Sequence, residues 1–402
     1  MKSQVLILTP EPPYPLQGGG AYRIASLLHY FARFADVDLI LISESGKPAL
    51  LPPGLVRHQS VIPLPKHGKG LVERYLRNAR RALTGVPPLI DRLSGLEHAI
   101  QSAIGGKQYD LGVVEHFWCA PYEASLSTVC ARTVLDLHNV ESVLHQRCAP
   151  VSRGAIAAGH ARFARMSRKL ESEWLPRYSL VFATSEGDAA LIKEIAPGAR
   201  TVVYPNALPW VEAPQSLPGG DVVFSGNFEY HPNIDAVRFF TREIWPEIHR
   251  RHPERKLRLV GRGDTFVRHF LPDVMNIEMT GPVESAFDEI AKAAIVVAPL
   301  RAGSGTRIKI LEGWAAARPV VATTLAAEGL AARSEDNILL ADSAAAFADA
   351  MDRLLNGAAL AQRMGTAGRR TFESKYTWNA SWKALDTNPQ LTQSTELNRY
   401  TV

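Results

Sequence analysis

Arg307, Lys309 and Glu312 follow closely on a run that reads Ala302-Gly303-Ser304-Gly305-Thr306. Glycines at 303 and 305 let the backbone turn tightly and approach a ligand. The residues after them read as a helix whose start carries the two cations. Amides of a first helical turn, two positive side chains and a downstream carboxylate suit a nucleotide diphosphate: amides and cations for the phosphates, Glu312 for the ribose hydroxyls. Positions 309 and 312 are three apart and share a helix face, so both can address one ligand. The plainer alternative is a βα turn with a solvated Lys–Glu pair, which contributes only about 0.2–0.5 kcal/mol.

A second glycine run, Gly18-Gly19-Gly20, lies after the first apolar stretch and before a helix-patterned segment. It suits close passage of the backbone by a phosphate or a sugar, or else a plain tight turn. No Gly-Lys-Ser/Thr follows, so it is not a Walker loop. Asp36-Val37-Asp38 has the form of a metal-holding Asp-x-Asp. It opens a hydrophobic strand away from the Ser304 loop, and cations with helix amides make a divalent ion unnecessary there, so no metal is expected. Residues 66–83 carry Lys66, Lys69, Arg74, Arg77, Arg80 and Arg81 among apolar residues at helical spacing. This is either a peripheral contact with an anionic membrane face or a surface helix whose apolar stripe packs on its own domain. Nucleic acid is not expected as a partner, because no interleaved aromatics or reading motif accompany the charge.

These residues need a scaffold. Apolar runs at residues 4–9, 37–42, 111–114, 133–137, 180–183 and 201–204 alternate with helix-patterned stretches, and so do runs at 222–225, 257–260, 276–279, 294–298, 320–322 and 338–341. Such alternation predicts parallel sheets. A chain of 402 residues exceeds the size at which single cores stop growing, about 250–300 residues. The expected fold is therefore α/β, with two doubly wound, Rossmann-like domains facing across a cleft. The division is 1–205 for the first domain, 206–220 for a Pro- and Gly-rich linker and 221–380 for the second domain, with a C-terminal segment over 381–402 whose residues 387–402 read as a frayed tail.

Composition narrows the setting. Hydrophobic residues make up 46% and charged residues 21% of the chain, as in ordinary globular enzymes. Residues 1–200 hold a basic excess of six, and the remainder an acidic excess of one. Three cysteines without paired metal-ligand spacing fit a reducing cytoplasm. No apolar window reaches the length of a membrane span, and the N-terminal apolar stretch is too short for a signal peptide. The localisation read from this is cytoplasmic, with peripheral contact at the inner membrane face if residues 66–83 dock there.

Taken together, Pro13-Tyr14-Pro15-Leu16-Gln17-Gly18-Gly19-Gly20-Ala21-Tyr22, Leu135-Asp136-Leu137-His138-Asn139-Val140-Glu141, Tyr204-Pro205-Asn206-Ala207-Leu208-Pro209 and residues 304–321 resemble, in order and spacing, the GT-B glycosyltransferases. Within them the likeness is to the retaining family 4, the glycosyl transferases group 1 type. Leu259-Val260-Gly261-Arg262-Gly263 and Thr280-Gly281-Pro282-Val283 add weaker matches.

The resemblance implies transfer of a sugar from a nucleotide diphosphate sugar to an acceptor hydroxyl of a glycan, a glycolipid or another molecule. The anomeric configuration would be retained and no cofactor used, in the making of a bacterial polysaccharide or glycolipid. His138, Arg307 and Lys309 would serve the reacting centre. The donor would meet Gly19, Gly20, Asn206, Gly226, Asn227, Gly261, Pro282, Val283, Ser304, Gly305, Thr306 and Glu312. The sequence departs from the family in two places. Ser304 stands where the first of two paired glutamates is usual. Asn227 and the Pro232-Asn233 pair stand where an Arg and a Lys are usual, which implies that Arg307 and Lys309 supply the missing charge. Two other readings stay open: a sugar-nucleotide epimerase of the same fold, and a non-catalytic nucleotide-sugar-binding subunit.

Overall fold

The computed structural model describes residues 2–65, 86–214, 220–271, 276–305 and 307–392, together with residues 70, 73, 77, 80 and 81. Two units emerge from the packing. The first comprises Met1–Gln146, Ala158–Pro205 and Trp382–Val402; the second comprises Arg147–Ala157 and Asn206–Ser381.

In the first unit, seven strands form one parallel sheet: β1 (Ser3–Thr9), β2 (Ala35–Ser43), β3 (His58–Pro63), β4 (Leu111–Glu115), β5 (Thr133–Asp136), β6 (Leu180–Ala183) and β7 (Thr201–Val203). Their order across the sheet is β3-β2-β1-β4-β5-β6-β7. Helices cover both faces, which is why β1 over residues 5–8 and β2 over residues 39–42 are continuous apolar runs without alternation. The helix Gly19–Ala32 packs Ile24, Leu27, Leu28 and Phe31 against Val5, Ile7, Val37 and Leu39. Each such burial contributes about 1.5–3 kcal/mol.

The second unit repeats the plan with β8 (Val222–Ser225), β9 (Leu257–Val260), β10 (Ile277–Gly281), β11 (Ile295–Ala298), β12 (Val320–Ala322) and β13 (Leu339–Leu340). The order is β10-β9-β8-β11-β12-β13, and all pairs are parallel. Helix Ile308–Ala315 follows β11 and is buried along nearly its whole length. Gly313 lets it lie close on the sheet, because a Cβ there would come within 2.9 Å of Val320. Trp314 donates from Nε1 to the Asn337 carbonyl at 2.8 Å and anchors the helix from its far side. In both units the strand order reverses next to the first strand, β1 against β4 and β8 against β11. Open α/β sheets take ligands in the crevice beyond the strand ends at that reversal.

The structure differs from the sequence reading in several places. Strand β3 lies at the sheet edge, with only Ile62 buried, so no apolar run marks it. Residues 206–208 are not a loose linker: Leu208 accepts from the Trp378 amide at 3.0 Å and donates to the Tyr376 carbonyl at 2.9 Å. Nor does the tail fray from residue 387, since Leu391 is buried. Leu385 and Leu391 are buried in the first unit's core, and Trp382 lies against Tyr30 and Arg33. A few apolar side chains suffice to dock an otherwise polar stretch. Most of residues 66–83 fall outside the described residues; of the cations there, Arg81 bonds Asp91 at 2.8 Å and Arg80 lies 3.8 Å from it. Among the described residues no helix is long and apolar enough to cross a membrane.

Candidate functional site

At the carboxyl end of the second sheet, the segments after β8, β9 and β11 meet. Gly303 and Gly305 hold φ of 115° and 76°, values that favour glycine, and turn the chain from β11 into helix Ile308–Ala315. A side chain at 303 would press on the Arg307 guanidinium at 2.7 Å. Arg307 forms the helix N-cap, is 8% exposed and donates to the Ser304 carbonyl. Ser304 itself is buried, and Thr306 lies outside the described residues.

Lys309, on the first turn of that helix, is 9% exposed. Its Nζ donates to Asn233 Oδ1 at 3.2 Å and sits 5.5 Å from the centre of the Phe224 ring. Burial, with Arg307 nearby, brings its ammonium down to about 8, and Glu312 opposes the shift. One turn on, buried Glu312 accepts from Ser225 Oγ at 3.2 Å. Burial raises its carboxyl above the ordinary range, against the pull of Lys309 and Ser225. Two positive groups and one carboxyl are thus withdrawn from water at a strand-end crevice. An anion that met the cations there would restore the charge that burial penalises.

The glycines around them clear space. A Cβ on Gly226 would come within 3.0 Å of Asn233 Nδ2, and one on Gly261, where φ is 139°, would collide with the Gly226 carbonyl. Asn233 Nδ2 donates to the Asn227 carbonyl at 2.8 Å. Asn227 Oδ1 takes the Glu229 amide at 3.0 Å, so this side chain closes its own turn. Asn206 is buried; Pro282 is exposed and Val283 half-buried just after β10.

The first unit gathers a separate cluster at its own strand ends. Glu115 closes β4 and pairs in register with Asp136, which closes β5. His138 follows β5 and brings Nε2 to 2.9 Å from Glu115 Oε2. Arg23, from the helix after the glycine run, bonds Asp136 from Nε at 2.9 and 2.8 Å and the Tyr204 carbonyl from Nη1 at 2.8 Å. This ion pair is almost fully enclosed, with side-chain exposures of 1% and 0%. Burial, with His116 and Arg23 beside it, holds His138 well below the usual imidazole range. Burial and the neighbouring Asp136 push Glu115 well above the usual carboxyl range.

His116 stacks on His138 with 3.5 Å between ring centres and on Trp118 with 4.4 Å. It does so with φ 66° and ψ 140°, a strained conformation for a residue with a Cβ. Trp118 Nε1 donates to Glu141 Oε1 at 2.9 Å. Gly18 has φ 93°, Gly19 starts the helix, and a Cβ on Gly20 would strike the Glu11 carboxylate. Asp38, of the Asp36-Val37-Asp38 triplet, is taken up by Arg57, Lys107 and Tyr109 at 2.8, 3.1 and 2.9 Å. The structure thus brings Arg307, Lys309, Glu312, Ser304, Gly226, Asn227 and Gly261 to one sheet end, and Gly18–Gly20 and His138 to the other unit's sheet end. Asn233, Ser225, Arg23, Glu115 and Asp136 complete these clusters through strand order and register.

Comparison with known proteins supplies a frame. Residues 219–357 match the family model Glycosyl transferases group 1. An exopolysaccharide phosphotransferase of Streptomyces coelicolor is 28% identical over 177 residues, covering 41% of this chain and 18% of that protein, so the chain spans less than a fifth of that relative. Among solved structures, sucrose-phosphate synthase from Thermosynechococcus elongatus superposes with a TM-score of 0.76 at 17% identity, over 98% of this chain and 100% of that one. Anabaena HepE in complex with UDP and glucose gives a TM-score of 0.64 at 14% identity, over 96% and 98%. At such identities the likeness shows the fold. The chain has the α/β fold of two Rossmann-like domains of the GT-B type, and within its second unit residues 219–357 are similar to the glycosyl transferases group 1 family.

Proposed function

We propose that this protein transfers a sugar from a nucleotide diphosphate sugar to an acceptor hydroxyl of a glycan or glycolipid, with retained anomeric configuration and without a metal ion. One observation carries the reading: Lys309 is buried at the strand-end reversal of the second sheet, with Arg307 beside it and Glu312 one turn away. Its hydrogen bond goes to an amide oxygen rather than a carboxylate. A cation so placed awaits an anion, and a diphosphate next to a helix start is an anion of the right kind. Glu312 takes ribose hydroxyls. The family match over residues 219–357 supports transferase chemistry, and the bound UDP and glucose of HepE support this donor class.

In this reaction the anomeric carbon loses its bond to the diphosphate and gains one to the acceptor oxygen on the same face. The departing phosphate oxygen accepts the hydroxyl proton, so no separate base is needed. Arg307 and Lys309 stabilise the charge growing on the diphosphate, the role a metal would otherwise fill. His138 belongs to the sugar side.

Ser304 in place of the paired glutamate favours one alternative, binding without transfer. A panel of nucleotide diphosphate sugars, screened by thermal stabilisation and then assayed for transfer, tests the proposal. A ligand at 100 times its Kd stabilises by about 2.7 kcal/mol. Sugar transferred to an added glycan supports it. A new sugar nucleotide formed from donor alone would instead identify an epimerase, and stabilisation without turnover on any acceptor a binding subunit.

A further inference from the structure

The first unit holds a buried acid pair that the transfer chemistry leaves unused. Glu115 and Asp136 end neighbouring strands in register, and Arg23 claims Asp136 through its guanidinium edge. Glu115 Oε2 faces His138 Nε2, while Glu115 Oε1 is fully buried with no partner among the described residues. A buried carboxyl oxygen left so is costly. It is satisfied at once if Oε1 carries a proton, because Asp136 is then an acceptor beside it. Oε2, as the carbonyl oxygen of that acid, takes the Nε2–H of His138. The ring is thereby fixed as one tautomer, and Nδ1 is left without a proton.

Building on the transfer reading, we propose that Glu115 is a positioning residue for His138. In its protonated form it bridges Asp136 and the imidazole, so that His138 offers Nδ1 to a sugar hydroxyl as a hydrogen-bond acceptor. Glu115, Asp136 and His138 place ligand atoms within 4.8 Å of one another, a spacing a metal ion also uses. The Arg23 guanidinium already supplies the positive charge at Asp136, which argues for the proton bridge. The groups that face this network are Arg23 from helix Gly19–Ala32, Glu11 from the loop after β1, His116 and Cys119 from the segment after β4, and Tyr204 after β7. Burial, then Asp136, shifts Glu115 toward the protonated form; burial, then His116 and Arg23, shifts His138 toward the neutral one. Both shifts agree with the geometry.

Nitrogen NMR of the full chain labelled at histidine nitrogen tests this directly. The His138 signals, assigned with His138→Gln, are expected to show a neutral ring protonated at Nε2 throughout pH 6–8. Glu115→Gln, whose amide donates to Asp136 and whose carbonyl accepts from His138, should keep that tautomer and keep kcat within about threefold of the parent. Glu115→Leu should release the tautomer preference and lower kcat with little change in donor KM. A positively charged His138 at pH 7, a ring protonated at Nδ1, or a Glu115→Gln variant as impaired as Glu115→Leu would each overturn the proposal. If Glu115→Leu does not fold, the tautomer in the parent and in Glu115→Gln decides alone. Calorimetry with a panel of nucleoside diphosphates, UDP among them, reads the second unit's site separately: binding of none of them overturns the transferase reading, whereas binding with the wrong His138 tautomer overturns only the present proposal.

Discussion

Lys309 Nζ donates to Asn233 Oδ1 at 3.2 Å, which places a helix ammonium against the first turn of the helix His231–Phe239 that follows β8. Asn227 and Asn233 occupy the region of sequence where the resembling family carries its Arg and Lys. A side chain 76 positions along the chain thus brings a positive charge to that region. Two opposite pH trends follow from its position near 8.

For binding, a diphosphate prefers the ammonium. If the proposed site takes UDP, its affinity is expected to be greatest below pH 8 and to weaken above it, with Kd at pH 9 about tenfold that at pH 7 when only the charged form binds. For folding the sign reverses. The folded chain gives up this proton near 8, below the ordinary lysine value of 10.5, so between those limits the unfolded chain holds more proton and stability rises with pH. The withheld stability is about 3 kcal/mol below pH 8, to order of magnitude. Lys309→Met should bind UDP weakly at every pH. Its stability difference from the parent should shrink by that amount between pH 8 and 10.5 in denaturant titrations. A parent whose UDP affinity is flat from pH 7 to 9 would remove Lys309 from the phosphate site.

Glu312 is coupled to that lysine and opposes its loss of charge. Glu312→Gln keeps the shape and an acceptor for Ser225 but removes the negative group. Lys309 should then lose its proton at a lower pH, and the alkaline fall in UDP affinity should begin earlier than in the parent. Glu312→Ala would also remove the proposed ribose contact and should weaken UDP by about tenfold or more, 1.4 kcal/mol or above, even at pH 6. Calorimetry across pH separates the two effects. Identical pH profiles for the parent and Glu312→Gln would show that the residues act independently.

How far this arrangement could be read in advance depended on sequence distance. Lys309 and Glu312 share one helix face behind a glycine loop, so spacing alone paired them. Their partners Asn233 and Ser225 lie 76 and 87 positions away, and only strand order brings them there. Strands buried on both faces announced themselves as apolar runs, whereas β3, at the edge with one buried residue, did not. Glu115 and Asp136 end separate strands 21 positions apart, and only the register that sets them side by side gives the pair its meaning. The C-terminal residues read as loose since their pattern is polar, yet Leu385 and Leu391 reach the first core.

Gly261 is required by backbone packing and not by any ligand. Its φ of 139° and the Gly226 carbonyl against it leave no room for a methyl group. Gly261→Ala should destabilise the second unit by about 1–3 kcal/mol through strain and also shift Gly226 and Asn233 away from Lys309. UDP affinity should fall with stability in this variant, whereas Lys309→Met should reduce affinity without lowering stability. Thermal melts alongside calorimetry distinguish them, and an unaltered melt for Gly261→Ala would contradict the packing described.

Arg23 and Asp136 form an ion pair shut away from water, with side-chain exposures of 1% and 0%. Breaking such a pair from one side strands a buried charge and destabilises by about 3–5 kcal/mol, while replacing both members by apolar groups is often neutral. Arg23→Met is therefore expected to be far less stable in urea than Arg23→Met combined with Asp136→Leu. Neither variant touches the second unit, so UDP binding by folded protein should persist in both. Transfer should still fail in the repaired double variant, because the proton that burial keeps on Glu115 has then lost its acceptor and the bridge that fixes the His138 ring is broken. A double variant as unstable as Arg23→Met would mean that the pair is supported by contacts other than its own charge, and one with full transfer activity would detach His138 from the network beneath it.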